Sequence, residues 1–302
     1  MCIRDSFNTV RKPILTAIAA LGLVAHAPAD AESSVWRITS ADADNKNILY
    51  IAGTLHVLKT SDFPLPEEFD EAYENSDNLV FEADLSSFDD LEVQKRMQAM
   101  VSYSDGSDLS DHLQPETLER FSNRLASYGI PFGMVKEYKP GFAATTLALL
   151  ELQKLGIGQA GVDMYYDEKA RKDGREIEGL ETVDQQIGFI ANMGIDNPDE
   201  FLNYSIDDLE RLSEMMDNMT EAWRVGDMPA LATHMIEQMQ EQYPGVYKTL
   251  LTDRNASWLP KLEAMMQDAD VELVMVGAGH LAGEGNVLEL LEEAGYKIEQ
   301  LP

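Results

Sequence analysis

Apolar and polar positions along the chain change period several times, and the changes mark its elements. Residues 48–52 (Ile-Leu-Tyr-Ile-Ala) and 273–276 (Leu-Val-Met-Val) are unbroken apolar runs, each closed by a glycine. Such a run reads as a buried strand that leaves its sheet at the glycine. Residues 35–39 and 47–51 predict a hairpin across the turn-rich 41–45, and 78–83 predict a third strand. The turn has Asp-x-Asp spacing but lacks the later ligands and the glycine of a calcium loop, so it reads as a plain turn.

From residue 91 the apolar period lengthens to that of helices, over 91–103, 115–128 and 145–155. Pro115 suits a first helical turn. Residues 162–172 predict a short helix ended by Gly174, then a brief strand at 176–178. Thr182 and Gln185 have the spacing of a capping box, so another helix starts there. Residues 199–225 and 229–242 are long, acidic and rich in methionine, which reads as core filler. The end of the chain reads as a strand at 272–276, a glycine-rich turn at 277–285, a helix at 286–294 and a strand at 296–299. This order predicts one α/β domain: a mixed central sheet built from two similar strand/helix units, with a largely helical middle insertion.

The first 31 residues have the layout of a secretory signal. Arg11 and Lys12 precede an apolar stretch over 14–24, followed by Ala25-His26-Ala27 and Ala29-Asp30-Ala31 as cleavage options. The expected domain is therefore 32–302, secreted into the periplasm, with no stable membrane anchor after cleavage. Residues 1–31 carry Arg4, Arg11 and Lys12 against Asp5 and Asp30, so the formal charge of −31 becomes −32 on their removal. That balance argues against nucleic acid and anionic lipid as partners, since both need clustered Lys and Arg. The one cysteine is Cys2, inside the signal. The mature chain therefore has no disulfide, thiolate ligand or cysteine nucleophile, and any metal must be held by His, Asp and Glu.

Both apolar runs end in Gly-x-x-His: Gly53-Thr54-Leu55-His56 and Gly277-Ala278-Gly279-His280. Of five histidines, two thus share one local pattern at the carboxyl end of a strand, where open α/β sheets bind ligands. Paired imidazoles suit Zn, Mn, Fe or Co, with a carboxylate completing the site. Glu82 is the best candidate, because it interrupts an otherwise apolar strand; Asp84, nearer the strand end, is its rival. His112 and His234 have no motif around them and read as surface residues. Asp163 opens a helix and is either an N-cap or part of the site, and the same two readings apply to Glu181. Arg254 either stabilises an oxyanion or a carboxylate, or forms an ordinary ion pair. Gly277, Gly279, Gly283 and Gly285 do not match G-x-G-x-x-G, which excludes a dinucleotide fold.

Taken in order, Gly53-Thr54-Leu55-His56, Ser61 to Pro66, Phe81-Glu82, Gly161-Val162-Asp163, Gly179-Leu180-Glu181-Thr182, Arg254-Asn255 and Gly277-Ala278-Gly279-His280 resemble the TraB/GumN family. That family is related to the Tiki proteases and more distantly to the ChaN and erythromycin-esterase groups. The resemblance implies that the two Gly-x-x-His units face each other, and it implies metal-dependent hydrolysis. On that basis His56 and His280 are ligands or polarising groups, Glu82 is the base or a third ligand, and Arg254 steadies the oxyanion. Gly53, Gly277, Asp163 and Glu181 support them. A bound Mn, Co or Zn ion would bring its water towards a neutral pKa. The expectation is a divalent-metal hydrolase for a peptide or other amide or ester bond. The alternative is a non-catalytic protein that sequesters a small peptide or ligand.

Overall fold

A computed structural model describes residues 33–42, 45–267 and 269–302, which belong to one compact unit. The expected signal peptide lies outside the described residues. Six strands form the main sheet: β1 (Val35–Ser40), β2 (Ile48–Thr54), β3 (Asn78–Phe81), β4 (Ile177–Gly179), β5 (Glu272–Gly277) and β6 (Tyr296–Gln300). Their order is β4-β3-β5-β2-β1-β6. β4, β3, β5 and β2 run parallel, while β1 and β6 are antiparallel to their neighbours. The sheet is therefore mixed, as the order of elements predicts.

Every residue of β5 is buried, and so is all of β2 after Ile48. Alternate residues serve two layers. Tyr50, Ala52, Leu273 and Met275 pack with Phe69, Tyr73 and Trp223, while Leu49, Ile51, Val274 and Val276 pack with Trp258 and Leu262. Helices cover both faces, which is why these parallel strands read as continuous apolar runs instead of alternating ones. The helical middle builds a core of its own around Phe121, Leu125, Leu147 and Leu202.

Two expected helices differ in extent. The helix expected at 145–155 begins earlier, as Pro140–Lys154 with proline in its first turn. The stretch 199–225 is two helices, Pro198–Asp208 and Leu212–Arg224. Buried Leu202, Ile206, Leu209, Leu212 and Met216 keep helical spacing across that break, so the apolar pattern does not reveal it. The glycine-rich turn holds one fully buried turn of helix, Ala278–Leu281. Among the described residues no helix is long and apolar enough to cross a membrane.

Candidate active site

The two Gly-x-x-His motifs lie side by side. β2 and β5 are hydrogen-bonded parallel neighbours in which Gly53 pairs with Val276 and Thr54 with Gly277. β3 and β4 end at the same edge, where Phe81 pairs with Gly179. Residues just past the strands' carboxyl ends therefore converge at one point. Gly53 abuts the second motif, since a Cβ added there would lie 3.1 Å from Leu281 and 3.3 Å from Ala278. Gly277 leaves room beside two polar side chains: a Cβ there would stand 3.2 Å from Glu82 Oε1 and 3.3 Å from His56 Nε2.

The two histidines are not equivalent. The His56 side chain is 65% exposed, and its Nδ1 donates to Asp163 Oδ2 at 2.8 Å. Thr54 Oγ1 donates to the other oxygen of Asp163 at 2.6 Å. Asp163 is thus no helix cap; Gly161 holds that position without a side-chain bond, and Asp163 orients His56. The carboxylate charge raises the His56 pKa to about 9, so its imidazole is protonated at neutral pH.

His280 is 5% exposed at its side chain. The Asn255 amide nitrogen donates to Gly285 O at 2.9 Å, which leaves Asn255 Oδ1 to accept from His280 Nδ1 at 2.6 Å. His280 Nε2 accepts from Arg254 Nη1 at 3.0 Å. Burial, helped by the Arg254 charge, lowers its pKa to about 3, so this imidazole is neutral.

Arg254, in helix Asp253–Met265, uses all five of its N–H groups. Nε and Nη2 grip Glu181 at 2.8 and 2.9 Å, and Nη1 also donates to Leu250 O at 3.1 Å. The second Nη2 hydrogen goes to Glu82 Oε2 at 2.5 Å. In this arrangement every Arg254 N–H already has a partner, and the guanidinium holds the Glu82 carboxylate instead of facing the cleft with a free donor. Glu181 is likewise no cap, since Thr182 caps helix Val183–Asn192 and Glu181 binds Arg254 and the Trp258 indole, the latter at 2.8 Å.

Glu82 stands at the centre. The Gly277 amide donates to Oε1 at 2.7 Å and Gln186 to Oε2 at 3.0 Å. Burial opposes its charge, but the Arg254 and His56 cations and the Gly277 amide outweigh burial and hold its pKa down at about 2. Asp84 turns away to Ser86 and Arg171. His112 and His234 are exposed, as expected. His56, Glu82, Asp163, Gln186 and Arg254 line a cleft of about 400 Å³. Sequence reasoning missed the roles of Thr54 and Asn255, although both lie in matched motifs, and it missed Gln186, which carries no local signal.

The profile of the TraB/PrgY/gumN family matches residues 34–300. The chain belongs to that family. It is 25% identical over 260 residues to the uncharacterized protein YbaP of Escherichia coli (strain K12), covering 85% of this chain and 92% of YbaP. It is 21% identical over 304 residues to the metalloprotease TIKI2 of Danio rerio, covering 84% of this chain and 58% of TIKI2. No solved structure matches.

The donors present do not fit the metal centre that this kinship suggests. His280 Nε2, the lone pair an ion would need, is taken by a guanidinium, and the same cation bonds Glu82. Among the described residues no group of three or more His, Asp or Glu side chains could hold a metal ion. Of the expected ligands His56, His280 and Glu82, only His56 presents a ring nitrogen to the cleft.

Proposed function

We propose that the chain is a hydrolase of an amide or ester bond in a peptide or other small substrate, and that His56 and Glu82 carry the reaction. The observation behind this reading is that His56 Nε2 and Glu82 Oε1 flank one point over Gly277, where no Cβ intrudes. Kinship to a protein named a metalloprotease supports the choice of hydrolysis over other reactions.

In this reading water bound over Gly277 loses a proton to Glu82 Oε1 as it attacks the carbonyl carbon. The His56 imidazolium, held in line by Asp163, first hydrogen-bonds the developing oxyanion and then protonates the leaving amine or alcohol. Glu82 is a weak base with a pKa of about 2, so the rate depends on placement: Arg254, Gln186 and the Gly277 amide fix the carboxylate before substrate arrives. Arg254 acts through Glu82, and Glu181, Trp258 and His280 hold Arg254. No step passes through a metal ion.

The substrate meets the site outside the cytoplasm, after removal of residues 1–31. The signal-like pattern of those residues supports this, as does a family match that begins at residue 34.

The test uses residues 32–302 with fluorescein-labelled casein and p-nitrophenyl acetate. Wild type should hydrolyse at least one of them, and Glu82→Gln and His56→Ala should each lose on the order of 10²-fold in rate. Turnover that survives in both variants would overturn the assignment. A peptide retained without cleavage would favour sequestration.

A further inference from the structure

A second, larger cavity adjoins the reactive cleft. It measures about 560 Å³ and shares two of its walls, Phe189 and Leu250, with the 400 Å³ cleft. Phe189 also lies under Arg254, whose guanidinium carbon is 5.1 Å from the ring centroid. Apart from Leu250, whose carbonyl accepts from Arg254, the reaction described above uses no residue of this second cavity.

It differs from the cleft in its charged groups, not in its apolar ones, since Phe81, Leu85, Phe88 and Ile190 line the cleft as well. Ile195, Phe201 and Val246 give the second cavity an apolar surface, and Ile195 is 40% exposed. No Lys, Arg or His lines it, whereas Asp196 and Glu200 do, both exposed. The cleft presents the cation His56. A ligand lying across both spaces therefore meets the paired charges of His56, Asp163, Glu82 and Arg254 at the reacting group, and apolar surface edged by unbalanced carboxylates beside Phe189 and Leu250. An acidic segment would be repelled there, and a small polar one would leave the apolar wall wet.

Resting on the reading of the cleft as the reaction site, we infer that the second cavity is a specificity subsite for an extended peptide substrate, taking a bulky apolar side chain of a neutral or basic segment next to the bond that is attacked. Adjacency at Phe189 and Leu250, which line both spaces, argues for the same ligand in both. An aromatic or leucine side chain buried there contributes on the order of 10-fold or more in affinity, from roughly 1.5 kcal/mol of apolar transfer.

Gly245 offers a way to block the cavity. It lines the cavity, and a Cβ added there meets nothing within 4 Å, so Gly245→Trp fills the space without backbone rearrangement. Thr249→Trp is a second block from an exposed position in the same wall. The probes are tetraglycine amide and its variants carrying one phenylalanine or one glutamate, with affinity read by calorimetry.

Wild type should bind the phenylalanine peptide at least 10-fold more tightly than the glycine and glutamate peptides. Gly245→Trp and Thr249→Trp should abolish that preference and leave the glycine peptide unchanged. Equal binding of all three peptides, no binding of any, or a preference that survives both blocks would overturn the subsite. Hydrolysis is measured separately: preference without turnover removes the proposed reaction and leaves the subsite, while turnover without preference does the reverse.

Discussion

Arg254 Nη1 stands 3.0 Å from His280 Nε2 and donates to it, so the second histidine motif serves the arginine. The two motifs match in sequence and differ in task. His56 faces the cleft beside its carboxylate partner, while His280 is sealed between Asn255 and Arg254.

This division predicts opposite phenotypes for the two histidines. His280→Ala leaves Asn255 Oδ1 and one Arg254 N–H without partners in a buried site, at about 1–3 kcal/mol for each polar group. His56→Ala removes a largely exposed ring and leaves Asp163 still bonded by Thr54 Oγ1, so it loses one charged partner where His280→Ala strands two buried polar groups, and it should cost less than His280→Ala. Thermal melts of both variants check this, and equal losses would contradict it.

Removing Arg254 should cost more. Arg254→Ala strands Glu82 and Glu181 as unpaired buried carboxylates, which costs about 3–5 kcal/mol, or about 10 °C in Tm. Arg254→Lys keeps the charge but not the five-way geometry, so it should recover only part of the loss. Full stability in the lysine variant would count against the positioning role.

The fold was largely legible because its signals are local. Unbroken apolar runs in β2 and β5 require strands covered on both faces, and Thr182 with Gln185 fixed a helix start. Glu82 was legible as well, since a carboxylate at the end of an apolar run must find partners, although the expected strand 78–83 stops at Phe81 and Glu82 lies just past it. The roles of His280 and Arg254 were not. Nothing along the chain shows that Arg254 spends all five N–H groups, because its partners lie at 82, 181, 250 and 280. Gln186 reaches Glu82 across a separation of 104 residues and leaves no trace in its own neighbourhood.

The pH dependence has a definite sign. The folded His56 pKa of about 9 lies above the ordinary 6.5, so the Asp163 pairing contributes stability fully below pH 6.5 and loses it as pH rises through about 9. His280, lowered to about 3, works on the acid side: between pH 6.5 and 3 the unfolded chain binds the extra proton, and stability falls as pH falls. Hydrolysis needs Glu82 ionised and His56 protonated, so the rate should stay level through neutrality and decline above about pH 9. Asp163→Asn should move that decline towards pH 6.5; an unmoved limb would rule out His56 as its source.

Gly277→Ala tests the space above the glycine. The new methyl would stand 3.2 Å from Glu82 Oε1 and 3.3 Å from His56 Nε2, where the attacking water belongs. The backbone there has φ −52°, which alanine accepts, so the fold should hold while hydrolysis falls by on the order of 10²-fold. An unaffected rate would place the reacting water elsewhere.

Hydrolysis should also be insensitive to EDTA, and elemental analysis of the purified domain should find no ion whose loss follows His280→Ala. An equimolar Mn, Co or Zn ion lost in both His56→Ala and His280→Ala would restore the paired-ligand account.

The most direct test is a ¹⁵N NMR titration of the imidazoles, with and without one equivalent of zinc. The account predicts that His56 titrates near pH 9. It predicts that His280 stays neutral, protonated on Nδ1, down to about pH 3, with an Nε2 shift that zinc does not move. A His280 that titrates near neutrality, or whose Nε2 shift responds to zinc, would contradict the division of labour between the two motifs.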